Sequence, residues 1–170
     1  MKMKVLSKQR NSRMCAVCGL DNIYGLQAPF YNMEDGSVVT LFRYKDHHQS
    51  YPGRVHGGLI SAMIDEMGLR GLWAHHQDES LFGVTMTLDT KYRKPVPYGV
   101  ELLGRGVVTA ETARAFEIDS FIYDREGVLL ANGHVKYMKL ATEIIAAGAD
   151  VHEEMPYLIE DSIREIDCRF

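Results

Sequence analysis

Residues 56–76 read His56-Gly57-Gly58-Leu59-Ile60-Ser61-Ala62-Met63-Ile64-Asp65-Glu66-Met67-Gly68-Leu69-Arg70-Gly71-Leu72-Trp73-Ala74-His75-His76. From Gly57 to His76 there is no proline, and strong helix formers recur at Leu59, Ala62, Met63, Met67, Leu69 and Leu72. On a helical wheel the apolar side chains point in nearly every direction. A helix that is apolar all round is enclosed by its own fold rather than laid on a surface. The stretch therefore predicts a long central helix, and the flanking segments must supply its enclosure.

Upstream, Leu26 to Tyr31 and Val38 to Tyr44 are short β-prone runs. The segment between them ends in Asp35-Gly36, which signals a hairpin. Residues 45–55 are polar and carry Pro52-Gly53, so they read as loop. Downstream, Phe82 to Lys94 alternates, with Val84, Met86, Leu88 and Tyr92 on one face and Thr85, Thr87, Asp89, Lys91 and Arg93 on the other. Pro95, Pro97 and Gly99 stop it. Val100 to Thr109, Ala115 to Tyr123 and Val128 to Leu140 follow, the last two joined by the turn Asp124-Arg125-Glu126-Gly127. Short connections make consecutive segments antiparallel neighbours. The expectation is an α+β fold: a hairpin, one buried helix, then a four-strand meander in chain order, with a single antiparallel sheet curled round the helix. Residues 1–13 are expected to be poorly ordered or a short helix, and the tail to be partly helical over Glu153 to Cys168. The chain divides accordingly into an N-terminal segment (1–25), a central domain (26–140) and a tail (141–170).

At 170 residues, 46% hydrophobic and 25% charged, the chain has the size and composition of one globular domain. A net charge of −4 with no basic stripe argues against nucleic-acid binding. Three cysteines are too few for a disulfide framework and fit a reduced, cytoplasmic setting. No apolar run follows the charges of residues 1–8, so no signal peptide is expected, and no run suits a membrane span.

Two carboxylates sit mid-way along the expected helix, where an acid is costly unless paired or functional. Glu66 has Arg70 four residues on, in the favourable order for an ion pair. Asp65 has only Ser61, Ala62, Gly68 and Leu69 at the helical neighbour positions, so it is either a reactive acid or the partner of a distant strand. His56-Gly57-Gly58 opens the helix. Free N–H groups there favour developing negative charge, and glycines admit a carbonyl close to the backbone, as an oxyanion hole requires. Cys15 and Cys18 have C-x-x-C spacing, half a zinc site; with no second pair and only His47 and His48 as further candidates in another element, no metal is assigned. His75-His76 at the helix end reads as a favourable dipole contact.

Val55-His56-Gly57-Gly58-Leu59-Ile60 to Asp65-Glu66 resembles the signature of hot-dog-fold acyl-CoA thioesterases of the PaaI-like, phenylacetic-acid-degradation group. His48 to Gly53, Val84-Thr85 through Lys91 to Val96, and Cys15 to Cys18-Gly19 with Asn22 and Gly25-Leu26 extend the resemblance over roughly residues 14–140. The resemblance implies a long helix wrapped by an antiparallel sheet, and a homodimer or dimer of dimers with active sites at the subunit interface. It implies hydrolysis of an acyl- or aryl-CoA to a carboxylic acid and free CoA, with no cofactor. Asp65 would be general base or nucleophile, the Gly57 N–H the oxyanion donor, with Gly58 beside it, and His56 the residue that shapes the loop. Relatives often carry Asn where this chain has Ser50, and Gln49 is the substitute; Thr85 stands where a hydroxyl holds the attacking water. Lys91, Arg93 and Lys94 are candidate partners for the CoA phosphates, and Glu66 borders the substrate. The alternatives are an acyl-CoA-binding module without turnover, which would not need an unpaired acid, and an enoyl-CoA hydratase or dehydratase, whose spacing of Asp and His the segment Asp46-His47-His48 does not match.

Overall fold

The computed structural model of the chain describes residues 1–146 and 148–170. Its central helix, α1, spans Gly57–His76. His56 caps it: its Nδ1 accepts the Gly58 N–H at 3.0 Å, satisfying one of the donors a helix start leaves free. Gln77, in the left-handed region at φ 54°, ends it and returns its N–H to the Trp73 carbonyl. Ile60, Met63, Ile64, Met67 and Leu72 are buried in the core. Enclosure is not complete, however. A stripe through Ser61, Ala62, Asp65 and Leu69 remains partly exposed, so the apolar Ala62 and Leu69 that widened the helical wheel face a surface left open by this one chain.

The strands are β1 (Lys2–Lys8), β2 (Arg10–Asn11), β3 (Tyr31–Met33), β4 (Val38–Phe42), β5 (Gly83–Tyr92), β6 (Leu102–Glu111), β7 (Ala115–Tyr123), β8 (Leu129–Lys139), β9 (Tyr157–Leu158) and β10 (Glu165–Asp167), with a short helix α2 at Thr142–Ile145. Eight form one antiparallel sheet in the order β10-β1-β3-β4-β6-β7-β8-β5, and β2 pairs with β9. The run β6–β7–β8 follows the sequence reading. The β3–β4 hairpin exists, but its first strand is Tyr31–Met33 rather than the expected Leu26 to Tyr31, so Asn32 and Met33 pair in the sheet instead of lying in the turn. The meander does not begin at β5: that strand lies at the far edge against β8, while β6 joins β4. The connection through Pro95, Pro97 and Gly99 is long enough to carry the chain across the helix start, which the assumption of tight successive turns overlooked.

The termini are also strands. In Lys2-Met3-Lys4-Val5 the charges alternate with Met3 and Val5, which are 3% and 7% exposed; this is a period of two, not a disordered basic start. Glu165–Asp167 pairs with β1, so the expected helix over 153–168 is replaced by β9 and β10. Met3, Val5, Tyr31, Met33, Val39, Leu103 and Ile166 make a second apolar cluster, distinct from the one around α1. No helix among the described residues is long and apolar enough to cross a membrane.

Candidate active site

Asp65 projects from the open stripe of α1 towards β5 and β8. Its Oδ1 accepts the Thr85 hydroxyl at 2.7 Å and the Tyr137 phenol at 3.0 Å; the phenol also approaches the Asp65 carbonyl. Gly68 admits this tyrosine: a Cβ there would lie 1.9 Å from the phenol oxygen. Burial and the adjacent Asp65 charge raise the Tyr137 pKa, keeping it a neutral donor. Among the described residues no cation makes an ion pair with Asp65. The structure thus gives the acid distant strand partners, and both are neutral.

Thr85 reaches Asp65 because β5 is bulged. Thr85 stands opposite Tyr137 and Thr87 opposite Lys136, with Met86 as the additional residue. Beyond the bulge, Thr90 accepts from Ser61 Oγ at 3.1 Å and Tyr92 donates to the Gly57 carbonyl at 3.0 Å, so both face α1. Strict alternation would set Thr85 on the face opposite to Thr90; the extra residue brings it to the same face.

At the start of α1, the Gly58 N–H is taken by His56, and the Leu59 and Ile60 N–H groups return to the His56 carbonyl at 3.0 and 3.2 Å. The Gly57 N–H has no partner among the described residues, and Gly57 lines a groove of about 390 Å³ with Ser50, Tyr51, Tyr92, Arg93 and Lys94. Gln49 is tied to the Tyr98 hydroxyl at 3.1 Å, beside the Gln49–Val55 bridge. Arg93 donates to Asn132 Oδ1 at 2.9 Å. Lys91 is exposed and does not line the groove. Glu66 does not join it either. Its Oε1 accepts from Arg70 Nε at 2.9 Å, and Arg70, only 1% exposed, lies over the rings of Phe30 and Trp73.

The sequence-derived residues thus fall into two groups on one helix: Asp65 with Thr85 in the middle, and Gly57 with Ser50, Arg93 and Lys94 at the start. Tyr137 was not anticipated, because a core tyrosine in an alternating strand carries no signal of what its hydroxyl meets. A third cluster lies behind Glu66. Cys15 Sγ is 3.7 Å from Glu66 Oε2. A hydrogen bond from Cys18, with backbone N–H groups, outweighs burial and the Glu66 charge and lowers the Cys15 thiol to about 7; the same pairing, together with burial, raises that of Cys18.

Residues 52–131 match the family model described as the thioesterase superfamily. A curated relative from Rattus norvegicus, acyl-coenzyme A thioesterase THEM4, is 39% identical over 72 residues, which are 41% of this chain and 28% of that protein. This chain thus spans little over a quarter of the curated relative's length. Among solved structures, RHA08564, a thioesterase superfamily protein, aligns with a TM-score of 0.66 at 24% identity, covering 74% of this chain and 63% of that one. A hypothetical thioesterase from Streptococcus pneumoniae, solved with coenzyme A, gives 0.60 at 20% identity, covering 67% and 86%. The Escherichia coli PaaI protein gives 0.60 at 16% identity, covering 68% and 81%. At these identities the structures speak for the fold, which is the hot-dog fold, one large antiparallel sheet around a main helix. Residues 52–131, the stretch that holds Gly57, Asp65 and Thr85, thus match the thioesterase superfamily model, and the chain has the hot-dog fold of its solved neighbours.

Proposed function

We propose that the protein hydrolyses acyl- or aryl-CoA thioesters to the carboxylic acid and free CoA. The observation that carries this reading is a carboxylate on the open stripe of α1, held by two neutral donors and, among the described residues, by no cation. The two donors fix its orientation and no ion pair competes for it, which suits a group that must take a proton. The curated relative's name and the coenzyme A in a fold neighbour support the substrate class.

Water attacks the thioester carbonyl carbon as Asp65 takes its proton, and the carbonyl oxygen becomes an oxyanion that the Gly57 N–H stabilises. Collapse breaks the C–S bond, and the proton held by Asp65 passes to the departing thiolate. Attack by Asp65 itself, through an anhydride that water then opens, uses the same residues. Thr85 and Tyr137 hold the carboxylate and are positioning residues. His56 keeps Gly57 outward by engaging Gly58, and Gln49 and Ser50 border the carbonyl. Arg93 and Lys94 receive the CoA phosphates, a role the exposed Lys91 serves only from outside the groove. Glu66 is a structural acid beside the substrate rather than a contact to it. In this proposal 26–140 carries the chemistry while the terminal segments brace the sheet. The protein works as a homodimer, or a dimer of dimers, in a reducing cytoplasm where its three free cysteines persist.

The test follows CoA release with a thiol reagent over a panel from acetyl- to palmitoyl-CoA and aryl-CoA esters. Wild-type turnover that Asp65→Asn abolishes is expected. Binding of the panel without turnover would instead make the protein an acyl-CoA-binding module, and hydration of enoyl-CoA would replace the reaction class.

A further inference from the structure

We propose that Cys15, Cys18 and Glu66 bind one thiophilic divalent cation of the zinc class, leaving a fourth position for water. Spacing alone offers two ligands; the fold supplies the third from α1.

The loop is built around one sulfur. Cys15 Sγ accepts the N–H groups of Val17 and Cys18, each at 3.3 Å. Cys15 in turn donates its N–H to Ser12 Oγ at 3.0 Å, and Gly19 donates to the Cys15 carbonyl at 2.9 Å. The turn is so tight that a Cβ on Gly19 would lie 2.5 Å from that carbonyl oxygen. Two amide dipoles aimed at a sulfur stabilise negative charge on it, as metal–thiolate bonding requires. Glu66 is oriented by its other oxygen. Arg70 holds Oε1, leaving Oε2 turned to Cys15 at 3.7 Å. Fixing a ligating carboxylate through its second oxygen is a common outer-shell device.

The spacing suits a small tetrahedral ion. The three ligand atoms all lie within 4.8 Å of one another. Bonds of about 2.3 Å to sulfur and 2.0 Å to oxygen give tetrahedral edges of about 3.8 Å (S···S) and 3.5 Å (S···O), so small side-chain shifts close the site. Charge also balances: on binding, each thiol releases its proton to solvent, and two thiolates and Glu66 offset the divalent ion and Arg70. Partly buried as it is, the site gains no net charge. The bound ion would fasten the 12–19 loop to α1 one residue away from Asp65.

The test uses full-length protein, reduced with a non-chelating phosphine and stripped of metal, and then dialysed against Zn²⁺ alone. One equivalent retained by elemental analysis, and a sulfur-to-cobalt charge-transfer band when Co²⁺ replaces it, are expected. Cys15→Ser and Cys18→Ser, which leave the Glu66–Arg70 pair intact, should lose both signals. Glu66→Gln should bind at least about tenfold more weakly with the thiolate band retained; circular dichroism checks that each variant folds. Substoichiometric uptake by wild type would overturn the proposal, as would a disulfide re-forming in preference to metal binding. Uptake undiminished in the double cysteine variant would also do so, assigning the ion to the exposed His75–His76–Glu111 group instead.

Discussion

Asp65 and Glu66 are neighbours with different partners, and substitution separates the uses proposed for them. Asp65→Asn preserves shape and keeps an acceptor for Thr85 and Tyr137, so the fold should survive while kcat falls at least about 10²-fold, the scale of a lost general base. A folded, fully active Asp65→Asn enzyme would overturn the assignment. Glu66→Gln leaves the buried Arg70 guanidinium without its counter-charge. Its effect belongs in stability, about 3 kcal/mol by denaturant unfolding, with a smaller loss of kcat than Asp65→Asn in whatever fraction remains folded. The reverse pattern would mean that the wrong carboxylate had been named. The Glu66–Arg70 pair and the lack of a helical partner for Asp65 could be read in the sequence because helical spacing shows which acid has a cation one turn on. Tyr137 could not, being 72 positions from Asp65 and brought there by the fold. Tyr137→Phe tests it: removing one of the two donors that orient the carboxylate should lower kcat about tenfold or less with KM little changed. An unchanged kcat would leave the phenol a packing group only.

At the scale of elements, patterns local in sequence were legible and those depending on partners were not. The helix ends, the Val38 strand and the hairpin at Asp124 follow from spacing and turn chemistry. The far-edge place of β5 depends on a crossover, and its bulge at Met86 shows only once β8 lies beside it. The tail has the same character, since its few apolar residues make sense only against β1 and the outer face of the sheet. Asp161 is its clasp, meeting Lys8 Nζ at 2.5 Å, the Tyr31 hydroxyl at 2.8 Å and the Ile163 N–H at 2.8 Å. Burial raises its carboxyl pKa, but these donors and the Lys8 charge outweigh it, so the folded value lies below the ordinary one. A depressed folded pKa contributes stability that is complete above the unfolded value of about 3.9 and is lost as pH falls through the folded value. Asp161→Asn should therefore lower Tm at pH 7, and the difference from wild type should shrink as pH drops below about 4. A difference constant over that range would mean that the charge of Asp161 contributes nothing.

The whole molecule poses a geometric problem that one chain does not solve. Gly57 and Asp65 stand eight residues apart on α1, about 12 Å along the axis, whereas reacting groups must come within about 3–3.5 Å. The same chain leaves β5 as an unpaired edge with Met86 54% and Tyr92 55% exposed, and the stripe of α1 around Asp65 open. Such a surface is relieved by a second copy. Two antiparallel helices related by a two-fold axis would set Asp65 of one subunit opposite Gly57 of the other, giving two shared sites per dimer. Light scattering should accordingly give at least twice the 19.2 kDa chain mass for active protein. Mixing Asp65→Asn with Gly57→Phe, each inactive alone, tests the sharing itself. In a heterodimer one site collects both defects and the other collects none. After random exchange half the dimers are heterodimers with one intact site of two, so about a quarter of wild-type activity should return. If subunit exchange is verified by mass spectrometry and no activity returns, each chain builds its own site and the two-fold arrangement is wrong.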